Sequence, residues 1–440
     1  MLNNLLYILP GITLLLFFFN IYRKGNNVSS CILFILTLLP LMDLKVTVEA
    51  WGGFKTFDVI CYYSLFFLLK DFITIDLKNQ TNFYFALFVL LTIIILIGGL
   101  ASEFPQHAYL NVIKILPIFI FARFYIKECF NDPSFFIKSI NALKISYVIA
   151  LGFLLIQWVV GLKFTFYPEL GPNTFDEVTG AVRYPGVFYD SQACGQFMAM
   201  GSFIFLFNEN NASRKTLALN YFAFVAAIIG IVLAGSRAAF GGFAIGLVIV
   251  FFMAARQYRV YGLMLIILGG IAYSFVSTKT VLFARAGNLS EDYLFRKSIW
   301  QKAFDISKEH PYLGIGAENY QKYIKRHAQD QYLEIKEGEL LYFDQPENGY
   351  LKIMVELGFI GFFIFILFLI VPLISGMVYN LKGFYDNRVA IFIAALACFL
   401  VEFNTVYSIW DTRILVMVVS MIVLILTYPV QQFSADHSNQ

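Results

Sequence analysis

Long apolar runs separated by short polar stretches make up most of the 440-residue chain. A helix of about 20 apolar residues crosses a bilayer, and most of these runs come close to that length. They fall at 5–22, 28–44, 57–75, 83–101, 108–126, 143–161, 186–207, 216–234, 238–255, 259–276, 352–375, 389–410 and 414–430. The pattern predicts an all-α polytopic membrane protein with about 12–14 transmembrane helices.

Residues 277–350 are the one long polar interval in this pattern. They hold 10 of the chain's 32 Lys and Arg and 11 of its 29 Asp and Glu. Apolar residues recur at helical spacing from Phe295 to Ile306, which predicts a helix that ends before Pro311. A second helix is expected from about Glu318 to Leu333. The interval is therefore expected to form one large, mostly helical loop domain between two spans.

Lys and Arg are concentrated in alternate connections, which the positive-inside rule places in the cytoplasm. The 162–185 loop, the turn around Arg237 and the 277–350 domain then all face the periplasm. The predicted organisation is N-terminal transmembrane helices at 1–161, a periplasmic loop at 162–185, central transmembrane helices at 186–276, the large periplasmic loop domain at 277–350, C-terminal transmembrane helices at 351–430 and a cytoplasmic tail at 431–440.

Composition supports the membrane class and narrows the function. The chain is 59% hydrophobic and 14% charged, whereas soluble domains carry about 25% charged residues. A net charge of +3 without a Lys/Arg-rich run argues against a nucleic-acid partner. The five cysteines are scattered through apolar segments and form no CxxC pair, so neither a metal site nor a disulfide framework is expected.

Three arginines on the predicted outer side are candidate anion ligands. Arg183 directly precedes a span, Arg237 lies between two spans with almost no loop, and Arg296 lies on the predicted loop-domain helix. A planar guanidinium can bind two phosphate oxygens at once, which suits these residues to a phosphate ligand. Alternatively, an arginine at a membrane end extends to lipid head groups without any further role.

Glu347 stands where the polar domain meets the next span. A carboxylate at this position can accept a proton from a hydroxyl group as a general base. It can instead stabilise the positive end of the helix that follows. Asp344, at the same place, and His327, on the second predicted helix, are secondary candidates. Asn348 directly follows Glu347 and is a further candidate.

Several short segments occur in a fixed order along the chain. They are Arg183-Tyr-Pro-Gly-Val-Phe-Tyr-Asp, Gly235-Ser-Arg-Ala-Ala, Arg296-Lys-Ser-Ile-Trp-Gln-Lys-Ala, His310-Pro-Tyr-Leu-Gly-Ile-Gly, Glu347-Asn-Gly-Tyr-Leu and Glu356-Leu-Gly-Phe-Ile-Gly. No single segment is specific. The ordered set, with the large loop in place, resembles the O-antigen ligase/polymerase superfamily of bacterial inner-membrane glycosyltransferases over about residues 180–375.

The resemblance implies a GT-C-type fold with a large periplasmic loop over an outward-facing cavity. It implies transfer of a glycan from an undecaprenyl-pyrophosphate donor, without metal or cofactor. Arg183 and Arg237 match the family's pyrophosphate-binding arginines, and Arg296 is added as a third. Many members have His-Asn where this chain has Glu347-Asn348, so the role of the base passes to Glu347. One direct displacement would invert the anomeric configuration.

The favoured function is a surface-polysaccharide polymerase that joins undecaprenyl-pyrophosphate-linked repeat units at the periplasmic face of the bacterial inner membrane. A ligase that transfers glycan to lipid A–core or to a protein is the alternative. A lipid-linked glycan transporter is an alternative of another class. Such a protein should show inverted repeats and ionisable groups near mid-membrane, whereas no repeat is visible and the ionisable candidates cluster at one face. The expected partners are the lipid-linked donor and acceptor and membrane lipid, with a chain-length regulator and a flippase as further candidates.

Overall fold

The computed structural model describes most of the chain. The described residues are 2–46, 53–73, 79–105, 108–167, 169–171, 174–176, 181–209, 212–253, 289–327, 333–336, 339–342 and 345–437.

Helices dominate the described residues, and two short antiparallel strand pairs accompany them. The helices are α1 (Leu2–Lys24), α2 (Val28–Thr37), α3 (Thr56–Phe67), α4 (Leu69–Ile73), α5 (Asn79–Leu100), α6 (Ala108–Asn131), α7 (Pro133–Val160), α8 (Ser191–Ser202), α9 (Arg214–Ala234), α10 (Arg237–Met253), α11 (Leu289–Glu309), α12 (Tyr320–Arg326), α13 (Gly349–Leu381), α14 (Val389–Glu402) and α15 (Thr412–His437). The strands are β1 (Phe175–Asp176) with β2 (Ala181–Val182), and β3 (Leu333–Lys336) with β4 (Glu339–Tyr342).

Helix α14 lies at the centre of the bundle. Its residues from Val389 to Phe399 are buried on every side, and it packs against α8, α10, α13 and α15. A helix that is apolar all round has no solvent-facing side, which accounts for this central position. Its 14 residues rise only about 21 Å, less than the roughly 30 Å hydrocarbon core, so its C-terminal end lies among the other helices.

Short polar side chains fix where several helices begin. Asn27, Asp132, Asp190 and Ser213 each accept a hydrogen bond from a backbone N–H in the first turn of the helix that follows. Such caps satisfy N–H groups that have no partner within the helix. Gly235, with a φ of 61°, ends α9 in the left-handed conformation that favours glycine.

Helix α13 is broken at Gly358, where φ is 67° and ψ is −178°. The break leaves backbone groups without helical partners, and the loop after α11 supplies them. Phe359 N–H donates to Pro311 O at 2.7 Å, and Ile315 N–H donates to Val355 O at 3.0 Å. A Cβ added to Gly358 would lie 2.3 Å from Tyr312 O. The motif that begins at His310 and the motif that begins at Glu356 are therefore hydrogen-bonded to each other across this break.

The all-α polytopic membrane class is confirmed. Five described helices are long and apolar enough to span a bilayer: Asn82–Leu100, Ala108–Asn131, Pro133–Val160, Arg214–Ala234 and Gly349–Leu381. Other described apolar helices have 10–17 residues. Several apolar runs, such as 389–410, therefore contain a helix shorter than predicted, because the run continues into a buried loop. The run 259–276 lies outside the described residues, and the segment boundaries and the total of 12–14 spans stay predictions.

The second predicted helix of the loop domain is shorter than expected. Helix α12 ends at Arg326, and Leu333, predicted to be helical, instead begins strand β3. Strands β3 and β4 pair in register from Leu333–Tyr342 to Lys336–Glu339. The reason is visible in the sequence Leu-Glu-Ile-Lys, where apolar and charged residues alternate with the period of a strand.

We call one end of the bundle the loop face. There the connection between α2 and α3, residues 181–190, the connection between α14 and α15, and the loop domain come into contact. Thr412 N–H donates to Asp43 Oδ1 at 2.8 Å, and Lys114 pairs with Glu318 at 3.1 Å. The candidate residues that the structure describes lie at this end.

Candidate active site

Arg183 is held against the turn that joins α9 to α10. Its backbone N–H donates to Thr174 O at 2.8 Å, and its Nε donates to Ala234 O at 3.3 Å. The residue is only 3% exposed, so it does not extend along a lipid surface. A Cβ added to Gly235 would lie 3.0 Å from Arg183 Cγ. The absence of a side chain at residue 235 lets the arginine lie close to this turn.

Arg237 is the first residue of α10 and is half-buried. Ser236 Oγ accepts a hydrogen bond from Ala239 N–H at 3.3 Å, which caps the helix. The N-terminal end of a helix carries partial positive charge and free N–H groups, both of which favour an anion. The side chain of Arg183 contacts Ala234, three residues before Arg237. Arg183 is therefore close to the same positive helix end.

We call the turn from Gly235 to Arg237 the arginine turn. Helix α10, which follows it, and the start of α13 both contact the C-terminal end of α14. A Cβ added to Gly242 would lie 2.8 Å from Glu402 Cγ. Gly242 follows Arg237 by five residues, about 7.5 Å along α10. At the same end of α14, Gly349 N–H donates to Phe403 O at 2.8 Å. The segment that carries Glu347 therefore packs beside the same central helix as the arginine turn.

Glu347 pairs directly with Arg296. Arg296 Nη2 lies 3.2 Å from Glu347 Oε2, and the two side chains are 25% and 45% exposed. The pair joins α11 of the loop domain to the residue before the cap of α13. Glu347 has a φ of 44°, a left-handed conformation that non-glycine residues adopt where the surrounding structure imposes it, often at functional sites.

Asn348 caps α13. Its Oδ1 accepts a hydrogen bond from Leu351 N–H at 3.1 Å, and its Nδ2 donates to Asn404 Oδ1 at 3.0 Å. Asn348 is 7% exposed. The helix start is thus stabilised by Asn348, while the partly exposed carboxylate of Glu347 is engaged with Arg296.

His327 lies in a different environment from Glu347. Its Nε2 is 2.9 Å from Glu103 Oε1, and its ring stacks on Tyr323 with the ring centres 4.4 Å apart. Arg326 Nε lies 3.4 Å from the same carboxyl group. These contacts fasten the end of α12 to the segment between α5 and α6. Asp344, the other alternative base, lies outside the described residues.

Arg413 is a buried arginine at the loop face that the sequence reasoning used only to orient the helices. It is fully buried, and its Nη2 lies 2.6 Å from Asp411 Oδ2 and 3.0 Å from Tyr167 Oη. It also donates to Val187 O, and its guanidinium lies 4.2 Å from the centre of the Phe188 ring. The residue fixes the segment that follows Arg183. The only sequence signal was the Asp-Thr-Arg spacing before an apolar run.

Asp43 extends this buried network to the connection between α2 and α3. Lys55 Nζ lies 2.5 Å from its Oδ1, and Arg413 Nη2 lies 3.6 Å from its Oδ2. Burial alone would raise the pKa of Asp43, but the charges of Lys55 and Arg413 lower it by more, so the pKa is below its usual value. The lowered pKa keeps Asp43 ionised, as its contact with two cations requires.

Comparison with protein families gives one match, which covers residues 222–366 and is described as O-antigen ligase. The match covers about a third of the chain and supports the O-antigen ligase/polymerase superfamily. The resemblance inferred from the ordered motifs is confirmed. No curated protein matches the chain.

The O-antigen ligase match spans most of α9, the turn before α10, the described part of the loop domain and the first half of α13. Arg237, Arg296, His327 and Glu347 lie within it, whereas Arg183 precedes it. The family thus covers the segments that meet around the end of α14. Arg183 is connected to the matched region by its contact with the turn at Gly235.

Proposed function

We propose that this multi-pass membrane protein is a surface-polysaccharide polymerase that joins repeat units carried on undecaprenyl pyrophosphate. The supporting observations are that Arg183 packs on the turn preceding Arg237 and that Glu347, paired with Arg296, stands two residues before Gly349, whose N–H donates to Phe403 O at the end of α14. Transfer of a glycan from a lipid diphosphate needs a site for the multiply charged leaving group and a carboxylate beside it. Membership of the superfamily supports this chemistry.

The reaction is one displacement at the anomeric carbon of the donor. A hydroxyl oxygen of the acceptor glycan attacks this carbon, Glu347 takes the hydroxyl proton, and the bond from the anomeric carbon to the diphosphate oxygen breaks. Arg183 and Arg237 stabilise the negative charge that develops on the departing diphosphate. Arg296 touches Glu347 directly, so a diphosphate that it also contacts would lie next to the base. Attack opposite the leaving group inverts the anomeric configuration.

We further propose that the loop face is periplasmic and that the membrane is the bacterial inner membrane. The support is the concentration of Lys and Arg in the connections at the other end of the spans. With this orientation the lipid-linked donor and acceptor are reached from the outer leaflet. The guanidinium groups neutralise the diphosphate, and the proposed reaction needs neither a metal nor a cofactor.

The arginine role is tested by Arg183→Ala and Arg237→Ala in cells that depend on this gene for long surface glycan. Each variant is expected to remain in the membrane and to abolish the chain-length ladder on a gel. Arg214→Ala is the matched control, because Arg214 is an exposed arginine at the opposite end of α9. A normal ladder in both site variants would refute the diphosphate role.

A ligase is the second candidate, because the matching family model is described as O-antigen ligase. Deletion of the gene separates the two activities. A polymerase deletion leaves acceptor capped with a single repeat unit. A ligase deletion leaves a bare acceptor together with accumulated lipid-linked polymer, and that result would replace the polymerase proposal.

A further inference from the structure

A second cationic cavity, of about 450 Å³, opens at the loop face away from the arginine turn. We call it the lysine cavity. Its charged lining residues are Lys45, Lys55, Lys114, Lys322, Asp58 and Glu318. The volume falls in the range of about 300–1,000 Å³ that is typical of small-molecule sites. Among the described lining residues, four cations face two carboxylates. Asp43, outside this lining, pairs with Lys55, which leaves one positive charge in excess and favours an anion.

A narrow apolar cavity of about 100 Å³ adjoins the lysine cavity. It lies among α5, α6, α13 and α15, and Glu356 is the only ionisable carboxyl residue among its described lining residues. The same five residues line both cavities where they meet: Ile115, Ile118, Ile409, Trp410 and Leu415. Engineered apolar cavities of about 150 Å³ take up small hydrocarbons. A ligand with a charged head and a hydrocarbon tail can therefore use both spaces.

The charges of the lysine cavity are only partly compensated within the protein. Lys114 pairs with Glu318 at 3.1 Å, and their side chains are 34% and 30% exposed. Lys322 lies near both, and its pKa is lowered because burial and the positive charge of Lys114 outweigh the attraction of Glu318. Repulsion between neighbouring cations is relieved when an anion binds between them.

The wall of the lysine cavity is fixed rather than loose. Glu318 has a φ of 59°, and the preceding residue is anchored because Asn111 Nδ2 donates to Ala317 O at 2.7 Å. Among the described residues, the non-glycine positions with positive φ are Glu318 and Glu347. Each is a carboxylate paired with a cation at the loop face, Glu318 with Lys114 and Glu347 with Arg296.

The Asp43–Arg413 contact connects the wall of the lysine cavity to the segment that follows Arg183. Asp43 binds Lys55, which lines the lysine cavity. Arg413 binds both Asp43 and the carbonyl of Val187, four residues after Arg183. The described lining residues of the lysine cavity include none from the arginine turn, so the two cationic regions are separate and are linked through the Asp43–Arg413 contact.

We propose that the lysine cavity and the adjoining apolar cavity form a second lipid-diphosphate site, which holds the acceptor while the arginine turn holds the donor. The proposal rests on the polymerase function, since a polymerase must place two polyprenyl-diphosphate-linked glycans together. The lysines bind the diphosphate, and the first part of the hydrocarbon chain enters the apolar cavity. A ligase that transfers glycan to lipid A–core or a protein has no need of such a site.

The test counts bound lipid on the full-length protein in nanodiscs. Farnesyl diphosphate, inorganic pyrophosphate and farnesol are titrated separately, and stoichiometry is read by native mass spectrometry. The test variant is Lys114→Gln/Lys322→Gln. The control is Lys24→Gln/Lys138→Gln, which removes two exposed lysines from the other end of the bundle.

The wild type and the control are expected to bind two molecules of farnesyl diphosphate. The test variant should keep one site and lose affinity at the other by about 10-fold for each lysine removed. Two unweakened sites in the test variant would overturn the proposal. Pyrophosphate binding as tightly as farnesyl diphosphate, or farnesol binding equally in all variants, would overturn the lipid-diphosphate assignment in favour of a free-anion or a purely apolar site.

Failure of the second-site proposal can be distinguished from failure of the polymerase proposal. If the test variant extends glycan at the wild-type rate, the second site is wrong while the polymerase function stands. If the purified wild type binds two lipid diphosphates with lysine-dependent stoichiometry but extends no glycan, the second site stands and the polymerase function is wrong.

Discussion

Glu347→Gln separates catalysis from stability at the proposed site. Glutamine keeps the size of the side chain and can still accept a hydrogen bond from Arg296, which lies 3.2 Å away. It cannot take up a proton as a base. Because general bases contribute about 10²–10⁴ in rate, the variant should lose that factor, equivalent to about 3–5.5 kcal/mol in the activation free energy.

The same substitution should change the free energy of unfolding very little. The side chains of Arg296 and Glu347 are 25% and 45% exposed, and ion pairs at such positions contribute about 0–1 kcal/mol. The helix start keeps its own cap, the side chain of Asn348. Loss of activity in Glu347→Gln therefore cannot be attributed to unfolding if the melting temperature stays within a few degrees of the wild type.

The assay is the rate of glycan extension by purified protein, together with a thermal melt in detergent. A thiol-reactive dye reports unfolding, because all five cysteines are free and buried. Glu103→Gln is the matched control: it removes a carboxylate paired with His327 at 2.9 Å and should extend glycan normally. Glu347→His is expected to retain partial activity. A Glu347→Gln rate above half of the wild type would refute the assignment of the base.

Three further predictions concern the scaffold. Arg413→Met should lower the free energy of unfolding by about 3–5 kcal/mol, because it removes a fully buried cation and leaves half-buried Asp411 without its ion pair; Arg388→Met, at the partly exposed Asp386 pair, should cost under about 1 kcal/mol in the same thermal melt. Gly358→Ala should destabilise the protein and abolish extension, because its Cβ would lie 2.3 Å from a backbone oxygen, whereas Gly152→Ala, with nothing within 4 Å, should be neutral or stabilising. Since the pKa of Asp43 is lowered, its contribution is complete above the usual carboxyl pKa and is lost as pH falls through the lowered value; tryptophan-fluorescence melts of Asp43→Asn should therefore show a weaker loss of stability in acid than the wild type. These accounts would be contradicted if Arg413→Met and Arg388→Met destabilised the protein equally, or if Gly358→Ala and Gly152→Ala did. Identical dependence of stability on acid pH in Asp43→Asn and the wild type would contradict the account of Asp43.

The fold class was readable from the sequence because apolar runs of bilayer length, repeated along a chain, are typical of membrane-spanning helices. Individual helix lengths were not. The run 389–410 contains α14, which ends at Glu402, because the loop that follows also places apolar side chains such as Phe403 and Val406 inside the protein. Hydropathy measures burial, and it cannot distinguish the two backbone conformations.

The sequence also identified residues that share one end of the bundle, but not how they meet. The motifs at His310 and Glu356 were noted separately, and only the structure shows that they interlock across the break at Gly358. The lysine cavity had no local sequence signal. Lys55, Lys114 and Lys322 are far apart in the chain and meet only through the packing of α3, α6 and α12.

The most direct test is whether the purified chain alone extends a polyprenyl-diphosphate-linked repeat unit. The measurement follows glycan products and free polyprenyl diphosphate together by mass spectrometry, in nanodiscs treated with a chelator. The account predicts a ladder of lengthening glycan with one polyprenyl diphosphate released for every linkage formed, and no ladder from Arg183→Ala or Arg237→Ala. Bound but unreacted substrate with wild-type protein, or a ladder that survives both substitutions, would contradict it.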